Sequence, residues 1–178
     1  HLSIRRQRQM CIRDSTDLEK GVKLQLPIFA SPMDTISEGA MADAMGQAGG
    51  SAIIHRYNTI EEQVREVQRA TSPAVVGAAI GISGDYMERA VELVDGGADF
   101  LCVDVAHGHH IMMKEALHWL RAKFGDNYHI MAGNVATLDS INDLTDWGAN
   151  SVRCNIGGGS ICSTRVQTGH GLPGLQTI

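Results

Sequence analysis

Residues Arg153–Gly171 read RCNIGGGSICSTRVQTGHG. Three consecutive glycines, Gly157–Gly159, lead into Ser160, Cys162 and Thr164, and the stretch follows a strand-like run from Ala149 to Arg153. Glycine lacks a Cβ, so the chain can turn sharply here and come close to a ligand. Successive N–H groups in such a turn can hold a phosphate, and the Ser160 hydroxyl can add to them. A cysteine just past that cradle stands where the base of a bound nucleotide would lie. Taken alone, GGGS is better read as a flexible connector beside an inert thiol, so the rest of the chain has to decide.

From Leu24 onward, strand-like and helix-like runs alternate. Strands are expected at 26–30, 51–55, 74–80, 100–105, 129–132 and 150–155, each short, apolar and largely β-branched, as in a sheet buried on both faces. Helices are expected at 38–48, 60–70, 85–96, 111–124 and 138–147. Ile60, Val64 and Val67 recur at helical spacing among charges, and Met41, Ala44, Met45 and Ala48 form a second such stripe, read as core. Thr59 followed by Glu62 is a capping-box pattern, and Gly96-Gly97, Gly125 and Gly148 stand where helices end. Repeated βα units imply a parallel sheet, either a barrel or a doubly wound sheet. Placement of the polar motifs favours the barrel. SPMDT, HRYN, DVAHGH, GNVAT and GGGSIC each follow the carboxyl end of a different strand, the pattern of an α/β TIM (β/α)8 barrel. About six of eight units are present, the last cut before its helix, so an incomplete barrel is expected.

The string GGGSICSTRxxTGxG resembles the catalytic loop of the IMP dehydrogenase / GMP reductase family. SPMDTISE (31–38), IHRYNTIEEQ (54–63), DVAHGH (104–109) and AGNVAT (132–137) match that family in the same order, from about Ser15 to the end. Five ordered motifs are a specific signal, and the resemblance also implies a TIM barrel. Many members carry a pair of CBS motifs after the second helix. Only the short junction 69–74 stands there, so no CBS domain is expected.

The resemblance implies roles residue by residue. Cys162 becomes the nucleophile that attacks the purine C2, chemistry that needs a thiolate, and Thr164 contacts the purine and helps activate water. Ser160 and the glycines, Gly157 on the cofactor side, hold the phosphate region. The carbonyls of Gly157, Gly159 and Cys162 match positions that bind a monovalent cation, usually K+, and carbonyl oxygens suit a hard cation. Asp104 is expected on the nicotinamide ribose; a helix N-cap or a rim charge is nearly as good a reading of it. Asn134 and Arg153 support the nucleotide and the loop, and Ser31 and Met33 pack against the purine. Asp34 could equally be a cap. Asn155 stands where the family usually has glycine; asparagine tolerates left-handed backbone better than most residues. Cys102 and Cys154 are expected to be structural. His55 is read as packed and hydrogen-bonded, and HGHH (107–110) lacks zinc-ligand spacing.

The activity implied is IMP dehydrogenase: IMP, NAD+ and water give XMP and NADH through a cysteine thioimidate. The alternatives are GMP reductase, using GMP and NADPH, and an inactive or binding-only barrel. The 178-residue chain by itself is expected to show no turnover, and the complete protein is expected to form a homotetramer.

Composition sets the outer limits. Net charge is −5, but residues 1–13 carry Arg5, Arg6, Arg8 and Arg13 without an acid, leaving 11 basic against 20 acidic residues, or −9, for the rest. An acidic body argues against nucleic acid, and no apolar run reaches the roughly 18 residues needed to span a membrane. Four scattered cysteines show neither metal spacing nor a disulfide framework, so a reduced, cytoplasmic setting is expected. Residues 1–14, with Cys11, are read as a sequencing artefact or disordered tail, and 15–178 as the partial catalytic barrel.

Overall fold

The computed structural model describes residues 16–70, 74–169 and 171–177, so the expectations for 1–14 and Cys11 lie outside the described residues. All six expected strands form: β3 (Phe29–Ala30), β4 (Ser51–Ile54), β5 (Val75–Ile80), β6 (Phe100–Asp104), β7 (His129–Val135) and β8 (Ser151–Cys154). Every neighbouring pair is parallel, and the spatial order is the chain order, β3-β4-β5-β6-β7-β8. A doubly wound sheet must reverse its strand order at a switch point. This sheet does not, which makes it an incomplete TIM barrel with β3 and β8 at its edges.

Between the strands run α1 (Gly39–Gln47), α2 (Ile60–Arg69), α3 (Tyr86–Asp95), α4 (Ile111–Phe124) and α5 (Leu138–Asp146). Thr59 and Glu62 close the expected capping box at α2, and Thr137 with Ser140 closes a second one at α5. Gly97, Gly125 and Gly148 take positive φ just past their helices, as helix ends demand.

Several expectations need correction. The strand expected at 26–30 is confined to Phe29–Ala30, because Pro27 has no N–H to give a ladder. The buried stripe of α1 is centred on Ala42 and Gly46; Met41 and Met45 flank it, half-buried, while Ala44 and Ala48 are exposed. GNVAT does not follow its strand, since β7 continues through Gly133 and Asn134 to Val135 with a register shift there. Two short helices, α6 (Thr164–Thr168) and α7 (Gly174–Thr177), follow β8 where none was expected.

The sheet has two apolar faces. Its outer face (Ile54, Ala78, Ile80, Leu101, Val103, Ile130 and Ala132) packs on Leu93, Leu117, Leu120 and Leu144 of the helices. The inner face gathers Ile53, Ala79, Phe100, Cys102 and Met131 around Val22, with Leu18 alongside. Leu18 and Val22 lie in the turn that joins an antiparallel pair, β1 (Thr16–Asp17) with β2 (Lys23–Leu24), and this hairpin supplies apolar side chains to the inside of the curved sheet. Strands of two residues leave no alternation to read, so this pair was not legible from local pattern.

Candidate active site

The parallel order places every strand's carboxyl end on one rim. On the inner face of that rim, Asp104, Gly133 and Arg153 stand in register on β6, β7 and β8. An Arg153 guanidinium N–H donates to Asp104 Oδ1 in a close ion pair, and Asn134 Nδ2 donates to the same oxygen at 3.4 Å. The pair is mostly screened from solvent, with side-chain exposures of 22% and 17%. Three expected site residues thus meet at one point. Asp104 is not a helix N-cap; that place at α4 is taken by His110, whose Nδ1 accepts from Met112 N at 3.2 Å.

The cysteine loop leaves β8 through Asn155, which takes φ +91° as its tolerance of left-handed backbone allows. Its N–H donates to Val135 O at 2.7 Å. A Cβ at Gly158 would crowd Asn155 Nδ2, so a side chain here would have to displace the Asn155 carboxamide. Cys162 N donates to Gly159 O at 3.1 Å, forming a tight turn that ends at the cysteine. Arg165 braces the loop from inside: Nε donates to Ile156 O at 2.8 Å, and Nη2 reaches Asn155 Oδ1 at 3.3 Å and Leu172 O. Sequence reasoning gave Arg165 no role, although it is the one Asp, Glu, Lys or Arg between residues 154 and 177. A lone guanidinium in a neutral loop was a usable signal.

Cys162 is exposed, with Sγ 3.2 Å from Thr164 Oγ1. Hydrogen bonds from the Thr164 hydroxyl and backbone, with Arg165 nearby, hold the thiol below the ordinary range by favouring the thiolate. The other described cysteines behave oppositely. Cys102 is fully buried, and burial pushes it up to about 12. Cys154, expected to be structural, is exposed at the end of β8 because β8 lies at the sheet edge, although partial burial still raises it. Ser160 is exposed in the turn before Cys162.

Ser31 and Met33 lie on the loop after β3, at the opposite sheet edge. Ser31 O accepts from the Ser37 hydroxyl, and the contacts of this loop tie it to His55 rather than to the cysteine loop. His55 is packed and bonded as expected: its N donates to Ser37 O at 3.1 Å, its Nδ1 accepts from Tyr57 N at 3.2 Å, and Nε2 faces Glu38 at 3.5 Å. Asp34 is no cap; it is exposed, 4.0 Å from His55 Nε2. Sequence reasoning also missed the buried amide of Gln63, which donates to Ile54 O and Ala79 O and accepts from Arg89. Among charges on an amphipathic helix it carried no distinguishing signal.

Between the β6–α4 loop, the start of α5 and the far side of the cysteine loop lies a cleft of about 360 Å³, lined by His107, His109, Thr137, Ser140, Ile156 and Leu172 among others. The two hydroxyls on this cleft, Thr137 and Ser140, both donate within the α5 capping box, whereas the Asp104 carboxylate on the neighbouring rim suits paired hydroxyls of a ligand. The loop carbonyls suit a cation less fully, since Gly159 O already accepts from Cys162 N and has one lone pair left. No described helix is long and apolar enough to cross a membrane.

Comparison with known proteins identifies a family. Residues 6–178 match the family profile of the IMP dehydrogenase / GMP reductase domain. The chain is 30% identical over 214 residues to an inosine-5'-monophosphate dehydrogenase of Borreliella burgdorferi, covering 92% of this chain and 53% of that protein. A Cryptosporidium parvum protein of the same name is 31% identical over 207 residues, covering 92% and 51% respectively. One from Nitrosopumilus maritimus reaches 42% over 104 residues, 58% of this chain and 22% of that protein. The chain spans about half the length of the first two of these relatives.

Proposed function

The chain belongs to the IMP dehydrogenase / GMP reductase family, and on that premise we propose that the complete protein oxidises IMP to XMP, using NAD+ and water, through a covalent bond to Cys162. The observation that carries this reading is the pairing of an exposed, thiolate-favouring Cys162 with Thr164 at 3.2 Å, while Cys102 is locked as a thiol.

The Cys162 thiolate adds to C2 of the purine, forming a C–S bond. The C2 hydrogen departs with its electron pair, leaving a thioimidate on the enzyme. Water then adds to C2, the C–S bond breaks, and the thiolate is restored as XMP leaves; the water's protons go to product and solvent. Splitting the substitution this way replaces one hard step by two easier ones. When bound, NAD+ supplies the hydride acceptor. Thr164 supports both halves, first by donating to the sulfur and then by standing beside the carbon that water attacks. The Ser160 turn takes the phosphate, with Ser31 and Met33 against the base. Asp104, with one oxygen engaged by Arg153 and Asn134, offers the other to the vicinal hydroxyls of the nicotinamide ribose. Gly157, Gly159 and Cys162 would supply carbonyls to K+, whose role would be to hold the loop in shape.

The test follows reduced nicotinamide by absorbance in the full-length protein. A rise with IMP and NAD+ is expected, dependent on K+, and Cys162→Ala should lower it by roughly 10⁴-fold or more. A fall with GMP and NADPH instead would make the protein a GMP reductase. Silence in both would make it a binding-only barrel and end the proposal.

A further inference from the structure

His109, in the loop after β6, serves no step above, yet its ring is held at two points. Its Nε2 lies 2.7 Å from Asp143 Oδ2 on α5, and its ring stacks on Trp147 at 5.8 Å between centroids and 24° between planes. Lys114 Nζ is 5.9 Å from the same indole, so the helix that follows the loop is tied to Trp147 as well. One residue earlier, Gly108 N donates to Asn134 O at 2.7 Å, and a Cβ on Gly108 would meet the Gly133–Asn134 peptide at 3.1–3.3 Å. Asn134 in turn donates Nδ2 to Asp104 Oδ1 at 3.4 Å and to Val105 O at 3.3 Å. A continuous series of contacts therefore runs from Asp143 through His109, Gly108 and Asn134 to the Asp104 carboxylate. His109 is also one wall of the 360 Å³ cleft, facing Ile156 and Leu172 of the cysteine-loop side.

We propose that His109 is a positioning residue for the dinucleotide side of the site: clasped to α5 by Asp143 and Trp147, it holds the β6–α4 loop against Asn134 and thereby fixes Asp104. The inference rests on the reading that Asp104 takes the nicotinamide ribose. The clasp is solvent-exposed, with side-chain exposures of 37% and 46%, so its loss changes geometry without unfolding the barrel. Nothing in it touches Cys162 or the loop that carries Ser31.

The experiment compares full-length wild type with His109→Ala, Asp143→Leu and Asp143→Asn, the last keeping an acceptor for the imidazole N–H. His109→Ala and Asp143→Leu should raise KM for NAD+ by about three- to tenfold, the range of one net hydrogen bond with a ring stack. KM for IMP and the rate of Cys162 alkylation should stay within about twofold on the same scale, and Asp143→Asn should behave as wild type. Hydrogen exchange at the Gly108 amide should quicken in the first two variants only. An equal rise in both KM values with a lowered unfolding midpoint would overturn the proposal, as would unchanged NAD+ KM and unchanged Gly108 exchange. If wild type turns over neither substrate pair, the functional reading has failed, and exchange at Gly108 alone decides whether the clasp holds the loop.

Discussion

Arg153 reaches the Asp104 carboxylate across Gly133. The three stand in register on adjacent strands, and a Cβ on Gly133 would lie 2.6 Å from Cβ of Arg153 and 2.8 Å from its carbonyl oxygen. The missing side chain on the middle strand lets two rim residues from flanking strands join. Gly133→Ala should therefore push Arg153 away, costing about 1–3 kcal/mol of stability as overpacking does. Chemical denaturation would read the cost, and a parallel rise in KM for NAD+ would show that the ion pair sets the carboxylate; unchanged stability would mean that the strands shift to make room.

Removing one partner of that pair should cost about as much as filling the space between them. Arg153→Leu leaves a poorly solvated carboxylate at the rim, at a cost of about 1–3 kcal/mol, whereas Asp104→Asn keeps an acceptor for the guanidinium and should cost less. Urea midpoints of the two variants check the order.

The three described cysteines should separate by pH. Alkylation of Cys162 should proceed at a lower pH than an ordinary thiol, because Thr164 favours its thiolate. Cys154 should need a higher pH, and Cys102, pushed up to about 12 by burial, should stay silent until unfolding. Thr164→Val removes the hydroxyl bond, so the Cys162 profile should move up in pH and its rate near neutrality should fall. Peptide-resolved alkylation across pH measures all of this at once; an unmoved Thr164→Val profile would contradict the role of the hydroxyl.

Acid should weaken the fold through His129. Burial holds its folded pKa below the ordinary value, opposed by the backbone of Glu19 and Leu18, and its Nε2 meets Ser151 Oγ at 2.8 Å. The unfolded chain takes up the proton at pH about 6.5 and the folded chain only at lower pH. This contribution is thus complete above about 6.5 and is lost as pH falls toward the folded value. His129→Gln should flatten the stability curve in that window, measured by denaturation between neutral and mildly acidic pH; a curve as steep as wild type would assign the loss to other groups.

At the amino-end face, Arg121 fastens the turns that precede β7 and β8. It donates to Gly148 O at 2.7 Å, Tyr128 O at 2.7 Å and Gly125 O at 3.1 Å, and reaches the Asn150 side chain. Arg121→Met should lower stability by about 2–4 kcal/mol while leaving both KM values near wild type, since this end of a barrel serves stability. A selective change in KM would put it in the catalytic machinery instead.

Much of this was legible from local pattern. The strand and helix succession, the Thr59–Glu62 cap and the strain-tolerant Asn155 all depend on residues within a few positions of one another. The candidate site was legible as a list: Cys162, Thr164, Asp104, Asn134 and Arg153 stand at or just beyond strand carboxyl ends, which a parallel sheet must gather on one rim. Less was legible where elements were too short for a period, as in β1 and β2, or where a buried polar group lay among charges, as Gln63 does.

The sequence by itself determined that this is a βα-repeat chain with its chemistry at the strand ends, because hydrophobic period, caps and turn residues act over a few residues. Which of those residues meet was decided only by the tertiary structure. Arg153 finds Asp104 across 49 positions and His109 finds Asp143 across 34. Such pairings are fixed by strand order and register, which arise when the whole sheet packs against its helices, and no short stretch of sequence contains them.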